Sequence, residues 1–291
     1  MKILISGAAG YIGSNLMKKL IGKKHKLFCL YNNTKPCNIN KQVELIKYDG
    51  TFNSINVINT KIDIIIHLAT LFSFKTSNEI IDKMMQSNIV FGVHLLEFAK
   101  SKNIKKFINT SSYAQSIDNK SYSPQNFYTS TKQAFEDILK FYTESRILKN
   151  ITLSLFDTYG PKDTRPKFIN LVLDALSKNE VFNMSEDNRN MRYVYIDDVT
   201  DAFCAAIDLL DNDIIDKSET YSVYGNEEFT LKELVNVICK ITESKLRINP
   251  GAYSHREREI MFATPRFDKL PNWDPKINIE NGIKNIINEN K

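Results

Sequence analysis

The chain has 291 residues, of which 42% are hydrophobic and 25% are charged, with a formal net charge of +5. This balance is typical of a water-soluble globular protein, and the length suffices for one large core or for a large domain with a smaller one attached. The lysines are scattered, and no basic stripe with interleaved aromatic residues occurs, so we expect no nucleic-acid partner.

The four cysteines show neither metal-ligand spacing nor a dense disulfide pattern. His94 and His255 likewise lack carboxylate or cysteine partners at ligand spacing, so we predict no metal site. The first predicted strand begins at Lys2, which leaves no room for a secretory signal, and no apolar run reaches membrane-spanning length. These features favour a cytoplasmic protein without a membrane partner.

Short apolar runs alternate with segments of helical periodicity through the first half of the chain. The predicted strands cover residues 2–6, 26–30, 43–48, 62–68, 106–109 and 151–156. The predicted helices cover residues 11–21, 79–100 and 127–148. This alternation predicts right-handed βαβ units and therefore a doubly wound parallel sheet of the α/β class. After Asp157 the pattern changes to helices at 168–177 and 198–210, a strand at 192–196, and shorter segments.

Three glycines at positions 7, 10 and 13 follow the first strand directly and open the first helix. Small residues let the backbone turn tightly and approach a pyrophosphate, whose charge is stabilised by the helix N-terminus. The spacing differs from the usual dinucleotide fingerprint, and glycines also serve plain turns. Because strand, glycines and helix follow in this order, we predict that Gly7, Gly10, Tyr11, Ile12 and Gly13 bind a dinucleotide.

The second strand ends in Tyr31, Asn32 and Asn33, with no acidic residue where NAD-binding folds place one for the ribose hydroxyl. These asparagines and Lys35 are suited to a 2′-phosphate, which favours NADPH, with NADH as the alternative. A solvated loop is the other interpretation of this segment. Asp49, after the third strand, is placed to meet the adenine, although Asp-Gly is also common in turns.

Tyr128 and Lys132 lie one helical turn apart, so both side chains leave the same face of the predicted helix. A nearby ammonium lowers the pKa of a phenol, which lets the tyrosine exchange a proton near neutrality. The preceding strand ends in Thr110-Ser111-Ser112, whose hydroxyls can bond a substrate oxygen. This combination indicates a carbonyl–alcohol redox site. The spacing alone is weak evidence, since Tyr31 and Lys35 repeat it, and a structural tyrosine remains the alternative.

These motifs together resemble the extended short-chain dehydrogenase/reductase family, and within it the NAD-dependent epimerase/dehydratase group that acts on nucleotide sugars. The resemblance spans nearly the whole chain. It rests on the glycine motif, His67-Leu68-Ala69-Thr70, Asn88 with Gly92, Thr110-Ser111-Ser112, Tyr128 with Lys132, Tyr159-Gly160-Pro161, and the segment from Arg192 to Val199.

The resemblance implies a Rossmann domain with the catalytic triad over residues 1–156. Residues 157–291 are expected to form mainly a smaller substrate-binding region, with some segments returning to the sheet. The expected cofactor contacts, including those predicted above, are Gly7, Gly10, Tyr11, Ile12, Gly13, Tyr31, Asn32, Asn33, Lys35, Asp49, Gly50, Leu68, Ala69, Thr70, Asn88, Thr110, Tyr128, Lys132 and Phe156. The implied triad is Ser112, Tyr128 and Lys132. The implied substrate contacts are Ser112, Asp157, Phe168, Arg192 and Arg256, where Asp157 replaces the usual asparagine.

The resemblance is strongest to nucleotide-sugar 4-ketoreductases. Dehydratases of the family carry an Asp-Glu pair after the triad hydroxyl, whereas this chain has Tyr113-Ala114. We therefore expect NADPH-dependent reduction of the C4 ketone of a nucleotide-linked 6-deoxy or 3,6-dideoxy sugar, a precursor of a surface polysaccharide. A 4-epimerase that retains NAD and a non-catalytic NAD(P)-binding relative are the alternatives. By analogy with the family we also expect a homodimer, formed through residues 79–100 and 128–149.

Overall fold

The computed structural model describes residues 1–37, 39–117, 121–186 and 189–289. The strands are β1 (Lys2–Ser6), β2 (Lys26–Tyr31), β3 (Val43–Lys47), β4 (Ile64–His67), β5 (Lys106–Ser112), β6 (Lys149–Leu155), β7 (Asp157–Tyr159), β8 (Phe182–Met184), β9 (Asn190–Tyr195), β10 (Ser218–Val223), β11 (Glu228–Thr230) and β12 (Ile248–Pro250). The helices are α1 (Tyr11–Gly22), α2 (Asn53–Asn56), α3 (Asn78–Met85), α4 (Phe91–Ser101), α5 (Phe127–Glu144), α6 (Phe168–Lys178), α7 (Ile196–Asp211), α8 (Leu231–Ile241) and α9 (Ile279–Glu289).

The main sheet has the strand order β10-β6-β5-β4-β1-β2-β3 within the described residues, and all of its neighbours are parallel. The chain starts in the middle at β1, winds outward to β3, then returns to β4 on the other side. The order therefore reverses between β1 and β4, which is the switch point where doubly wound folds place their ligands. The predicted α/β class and doubly wound parallel sheet are confirmed.

Both faces of the sheet are covered, which explains why its strands read as nearly continuous apolar runs. Ile3 and Ile5 point into a core shared with α1, α7 and α8, whereas Leu4 between them points into a second core shared with α4 and α5. The alternation follows from the two-residue period of a strand. The sheet therefore lies between two layers of helices. The edge formed by the carboxyl ends of its strands is left open.

Most predicted boundaries agree with the structure to within two residues, and three elements differ by more than that or in kind. The helix predicted over 79–100 is a continuous helical run in which a π-helical turn, Gln86–Val90, joins α3 to α4. Strand β5 extends to Ser112 because it pairs with β6 along its whole length. Helix α5 ends at Glu144, four residues early, because Arg146 adopts a left-handed φ of 54° that a helix cannot continue.

The second half of the chain contributes smaller sheets beside the carboxyl edge. Strand β9 pairs in parallel with β7 and antiparallel with β11, and β12 pairs in parallel with β8. Strand β10 instead joins the main sheet beside β6. The C-terminal segment is fixed to α7, because the carboxylate of Asp198 accepts the backbone N–H groups of Lys276 and Ile277. Among the described residues, every helix is too short or too polar to cross a bilayer.

Candidate active site

The carboxyl ends of the parallel strands bring most of the predicted site residues to one edge of the sheet. Because the strands run in the same direction, each loop that leaves them opens on this edge. The residues placed there are Gly7 after β1, Tyr31 at the end of β2, Asp49 after β3, Leu68 after β4, Ser112 at the end of β5 and Phe156 after β6. Tyr128 reaches the same edge from the first turn of α5.

The glycine turn after β1 has the close packing that a pyrophosphate cradle needs. Gly7 has a φ of +76°, and a Cβ there would lie 2.5 Å from the backbone nitrogen of Ala69. A Cβ on Gly13 would lie 2.2 Å from the carbonyl oxygen of Gly7. The first turn of α1 carries no acidic residue, so its free N–H groups are suited to an anion. These features fit a bound dinucleotide.

Tyr11 and Ile12, the first residues of α1, are partly exposed. The hydroxyl of Tyr11 donates to the carbonyl oxygen of Pro161 at 3.2 Å, and the Arg165 guanidinium lies over its ring, 4.7 Å from the centroid. Tyr11 therefore ties the cofactor turn to the loop that follows β7. No pattern in the sequence indicates Arg165 in this position.

The segment after β2 presents amide and ammonium groups to solvent. Asn32 and Asn33 are exposed, and the Nζ of Lys35 lies 5.7 Å from the centroid of the Tyr31 ring. This surface is compatible with the 2′-phosphate of NADPH, because the loop after β2 contains no carboxylate. The first acidic residue after β2 is Glu44, which lies within β3.

Asp49 lies beyond the neighbouring strand β3. Its carboxylate accepts from both the backbone N–H and the hydroxyl of Thr51, and these bonds hold its pKa below the usual range. Gly50, with a φ of +98°, forms the turn between them. The carboxylate is therefore fixed in the loop and charged at neutral pH.

Asn88, inside the π-helical turn, is buried and uses its whole amide group within the protein. Its oxygen accepts from the Thr70 hydroxyl and from the Leu71 N–H, at 3.1 and 2.7 Å. Its nitrogen donates to the Leu71 carbonyl and to the Thr131 hydroxyl. Asn88 thus clamps the loop after β4 to helix α5, and π-helical turns are often found at functional sites.

The predicted triad lies where β5 and α5 meet. Ser112 ends β5 and caps the following 3₁₀ turn, Tyr113–Gln115, by accepting the N–H of Ala114. Tyr128 is half-buried in the first turn of α5, which begins with a capping box at Asn126. Lys132, one turn further along, is only 3% exposed. Thr110 is also buried and donates to the His67 carbonyl.

Burial has the largest influence on the titration of the two triad residues. It raises the pKa of Tyr128 above its ordinary value of 10, while a side-chain contact with Thr70 acts in the opposite direction. Burial lowers the pKa of Lys132 to about 8, opposed by the charge of Glu136. The expectation that the Lys132 ammonium lowers the Tyr128 pKa is therefore wrong for this chain: burial is the largest cause of the shift and raises the pKa, and the opposing contact is with Thr70. At neutral pH the phenol is protonated.

A polar network that the sequence did not indicate lies behind the triad. Gln115 accepts from the Ser111 hydroxyl at 2.6 Å and from the backbone N–H of Ser112. Its nitrogen donates to Glu136, which is one turn beyond Lys132 on α5. Burial raises the pKa of Glu136, although the bonds from Ser111 and Gln115 oppose the change. The network links the end of β5 to the lysine's own helix and so fixes the triad geometry.

His67 ends β4 and packs inside the protein, as its position at the end of an apolar run suggests. The ring is 1% exposed, forms a hydrogen bond with the Ser6 hydroxyl at 2.7 Å and packs against three phenylalanine rings, with centroids 5.2–6.3 Å away. Burial and the nearby charge of Lys132 lower its pKa to about 3. His67 is therefore neutral and structural.

Asp157 lies at the start of β7, next to the triad in space. Its carboxylate accepts from Lys167 at 2.7 Å and from the Tyr113 hydroxyl at 2.9 Å. Burial acts to raise the pKa of Asp157, but Lys167 and Tyr113 together hold it below the usual range. Phe156 is buried and stacks on the Tyr113 ring, 4.6 Å between centroids. Lys167, ten residues downstream, has no sequence signal that links it to Asp157.

The two arginines expected to meet a diphosphate differ in their surroundings. Arg192 on β9 is ion-paired with Glu228 at 2.7 Å and donates to the Asn226 carbonyl. Arg256 is exposed and stacks on Phe74, with 3.7 Å between its guanidinium carbon and the ring centroid. No ion pair to the Arg256 side chain occurs in the part of the chain that the structure describes. Phe168, at the start of α6, packs edge-on against Phe182.

The sequence analysis did not single out Phe72 and Phe74, two aromatic residues on the Tyr128 side of the site. Phe72 and Phe74 follow β4 and are 51% and 46% exposed. The Phe72 ring lies edge-on to the Tyr128 ring, 5.0 Å between centroids. The available signal was two phenylalanines separated by one residue, in a loop that directly follows the His67-Leu68-Ala69-Thr70 motif. Among residues 1–37, 39–117, 121–186 and 189–289, histidine, cysteine and carboxylate side chains form no cluster that could hold a metal ion.

The chain is similar in sequence and fold to known proteins. The sequence profile described as "NAD dependent epimerase/dehydratase family" matches residues 3–223. CDP-abequose synthase of Yersinia pseudotuberculosis is 30% identical over 265 residues, which cover 90% of this chain and 91% of that protein. CDP-abequose synthase of Salmonella muenchen is 28% identical, and the aligned residues cover 98% of this chain and 97% of that protein. The structure of Thermus thermophilus UDP-glucose 4-epimerase with NAD has a TM-score of 0.82, 20% identity and coverage of 99% and 98%. At that identity the likeness shows the fold.

Proposed function

This chain belongs to the NAD-dependent epimerase/dehydratase family, and from that membership we propose that it is a nucleotide-sugar 4-ketoreductase. The substrate is the C4 ketone of a nucleotide-linked 6-deoxy or 3,6-dideoxy sugar, and NADPH is the reductant. The observation that carries the proposal is the juxtaposition of Tyr128, buried Lys132 and Ser112 beside a glycine turn that fits a dinucleotide. The resemblance to two CDP-abequose synthases supports a deoxysugar substrate.

The cofactor residues divide into two groups. Gly7, Gly10 and Gly13 bring the backbone and the N-terminus of α1 to the pyrophosphate. Asn32, Asn33 and Lys35 receive the 2′-phosphate, which is the basis for NADPH over NADH. Dissociation constants for the two cofactors test this preference, and tighter binding of NADH contradicts it.

A dihydronicotinamide held by the glycine turn would supply a hydride to the carbonyl carbon, where the C=O π bond would break as the C–H bond forms. Tyr128 donates its phenolic proton to the carbonyl oxygen, so that the product is an alcohol and the tyrosine is left as phenolate. Because burial keeps this phenol protonated at neutral pH, it is ready to act as an acid. The Lys132 ammonium stabilises the phenolate as it forms, and the Ser112 hydroxyl donates to the carbonyl oxygen and orients it. Solvent then restores the proton.

We assign the substrate diphosphate mainly to Arg256, with Arg192 as the lesser contact. Arg256 has an exposed guanidinium without an ion-pair partner in the described residues, so binding a diphosphate breaks no existing pair. Arg192 must share its charge with Glu228. Asp157 carries its own counter-charge in Lys167, so this carboxylate does not repel an anionic substrate as strongly as an unpaired one.

The test uses the purified protein, NADPH, and enzymatically prepared 4-keto-6-deoxy and 4-keto-3,6-dideoxy nucleotide sugars. Loss of the reduced-nicotinamide absorbance, together with an alcohol at C4 of the product, supports the proposal. No oxidation of NADPH with any ketone, combined with interconversion of saturated UDP-sugars without added cofactor, contradicts it and identifies a 4-epimerase.

A further inference from the structure

Phe72 and Phe74 are the feature of the site that the mechanism above does not use. Both lie in the loop between β4 and α3, and about half of each side chain is exposed. Neither belongs to either of the two cores that cover the sheet. Single exposed apolar side chains are common, and Phe141 and Phe262 are at least as exposed, but two adjacent exposed rings form a contiguous apolar surface. This exposure beside a catalytic residue points to a ligand contact.

The two rings form a continuous aromatic wall between the catalytic phenol and a cation. Phe72 lies edge-on to Tyr128 at 5.0 Å and 82°, and Phe74 lies edge-on to Phe72 at 4.8 Å and 84°. The Arg256 guanidinium stacks on the far ring at 3.7 Å. Edge-to-face pairs and a stacked guanidinium are favourable geometries, so the order Tyr128, Phe72, Phe74, Arg256 is a defined arrangement.

The loop that carries this wall is held in place at its base and at its turn. Asn88 bonds both the N–H and the carbonyl of Leu71, the residue before Phe72. The Ser73 hydroxyl accepts a hydrogen bond from the N–H of Lys75 and donates to the Lys75 carbonyl. These two bonds close a tight turn around Phe74. The rings are therefore positioned by hydrogen bonds and do not depend on burial for their place.

We propose that Phe72 and Phe74 are specificity-determining residues that favour a sugar without a hydroxyl on C3, the carbon beside the ketone. The inference rests on the proposed function, which places the C4 oxygen at Tyr128 and the diphosphate at Arg256. The same proposal puts the sugar ring along the wall between these two ends, with C3 toward the phenyl rings. A C3 hydroxyl facing the phenyl rings loses its water without gaining a partner, whereas a methylene group gains apolar contact.

The expected size of this discrimination follows from the nature of an apolar surface. A hydrophobic pocket rejects a ligand that merely adds a hydroxyl by no more than about 100-fold. Because the wall is open to solvent on one side, we expect a preference of roughly 10- to 100-fold in kcat/KM. The preference resides in the phenyl rings, so it must fall when a ring is replaced by a polar side chain and survive replacement by an apolar one.

The experiment measures kcat/KM for two 4-keto substrates that share one nucleotide and differ only in the C3 hydroxyl, with NADPH as reductant. The variants are Phe72→Asn and Phe74→Asn, with Phe72→Leu as the matched apolar control. Ile214→Asn, an exposed apolar residue in the loop before β10, controls for the change of residue type. Thermal unfolding of each variant checks the fold, and Phe74→Asn carries the test if Phe72→Asn unfolds.

The expected result is a wild-type preference for the 3-deoxy substrate that falls about tenfold in either asparagine variant and is kept in Phe72→Leu and Ile214→Asn. A wild-type enzyme that reduces both ketones equally well overturns the inference, as does a preference that both asparagine variants retain. These outcomes leave the reductase assignment intact. If the wild-type enzyme reduces neither ketone, the proposed function fails and the inference fails with it.

Discussion

Residues 1–156, which we propose hold the cofactor (the cofactor half), and the described residues after 156, which we propose hold the substrate (the substrate half), differ in how several of their charged groups are accommodated. In the cofactor half, His67 and Lys132 are almost fully buried, and desolvation lowers the pKa of each. In the substrate half, Asp157, Arg189 and Arg192 each lie in an ion pair, with Lys167, Glu259 and Glu228 respectively. The buried groups named in the cofactor half are shifted toward their neutral forms, whereas the three named in the substrate half keep their charge by pairing.

This difference corresponds to the tasks that we propose for the two halves. A site for proton and hydride transfer benefits from low polarity, because a charge that develops there is strongly stabilised by the few dipoles and cations aimed at it. A site for a dianionic diphosphate needs cations, which must be kept in place when no anion is present. Substitutions in the two halves should therefore change different properties, namely turnover, acid stability, cofactor binding or ion-pair coupling, and by different amounts.

The largest effect is expected from Tyr128→Phe. The variant keeps the ring that packs on Phe72 and loses only the phenolic hydroxyl, which carries the proton to be donated. We expect kcat to fall by about 10²- to 10⁴-fold with nearly unchanged substrate binding, because an acid catalyst acts in the transition state. Tyr142→Phe on the same helix is the control, since that hydroxyl bonds Glu97 and not the site. Near-wild-type turnover of Tyr128→Phe contradicts the assignment.

The next effect is the acid sensitivity of the cofactor half. The pKa of His67 is about 3 in the folded protein and about 6.5 in the unfolded chain. The unfolded chain therefore binds a proton first as pH falls, so the free energy of unfolding decreases below pH 6.5. By pH 4.5 the loss from this group alone is on the order of 2–3 kcal/mol.

Urea unfolding at pH 7 and pH 4.5 measures this loss. The decrease should be smaller by about 2–3 kcal/mol in His67→Gln, which has no proton to bind. His25→Gln should change the decrease less, because His25 is partly exposed and charging it costs less. An equal decrease in the wild type and His67→Gln contradicts the account of a neutral, buried histidine.

A smaller effect is expected from two glycines of the same helix. A Cβ on Gly13 would lie 2.2 Å from the Gly7 carbonyl oxygen, whereas a Cβ on Gly22 meets nothing within 4 Å. We expect Gly13→Ala to lower stability by about 1–3 kcal/mol and weaken NADPH binding about tenfold as the turn moves. Gly22→Ala should bind NADPH normally and gain about 0.4–1 kcal/mol. Isothermal titration and thermal unfolding distinguish the two, and equal effects contradict the close approach.

The smallest effect is expected from the ion pair of the substrate half. A double-mutant cycle of Lys167→Met and Asp157→Asn should give a coupling energy of about 1 kcal/mol, because Asp157 is largely buried. The exposed pair of Lys178 and Asp174 is the control and should give about 0.3–0.5 kcal/mol. A coupling energy at Asp157 no larger than that of the control removes the contrast between the two halves.

The sequence predicts the cofactor half well because the physical constraints there are local. A strand followed by Gly7, Gly10 and Gly13 and then a helix permits few backbone paths, so the motif and its structure coincide. Tyr128 and Lys132 share a face because a helix repeats every 3.6 residues. The parallel strand order then follows from the alternation of apolar runs and amphipathic segments.

The substrate half is less predictable because its contacts join residues that are distant in the sequence. Nothing near β10 indicates that this strand joins β6 in the main sheet. The stacking of Arg256 on Phe74 joins segments about 180 residues apart, and only the folded chain brings them together. The sign of the Tyr128 pKa shift was also out of reach, because it depends on how deeply the phenol is enclosed.

The most direct test of the central claim is the fate of a labelled hydride. The wild-type protein is incubated with a 4-keto-3,6-dideoxy nucleotide sugar and NADPH that carries deuterium on C4 of the nicotinamide in the transferable position. The account predicts one deuterium on C4 of the product sugar for each NADPH oxidised, with the oxygen of the new alcohol carrying a solvent-exchangeable proton. Product without deuterium at C4, or epimerisation of a saturated nucleotide sugar with no consumption of NADPH, would contradict it.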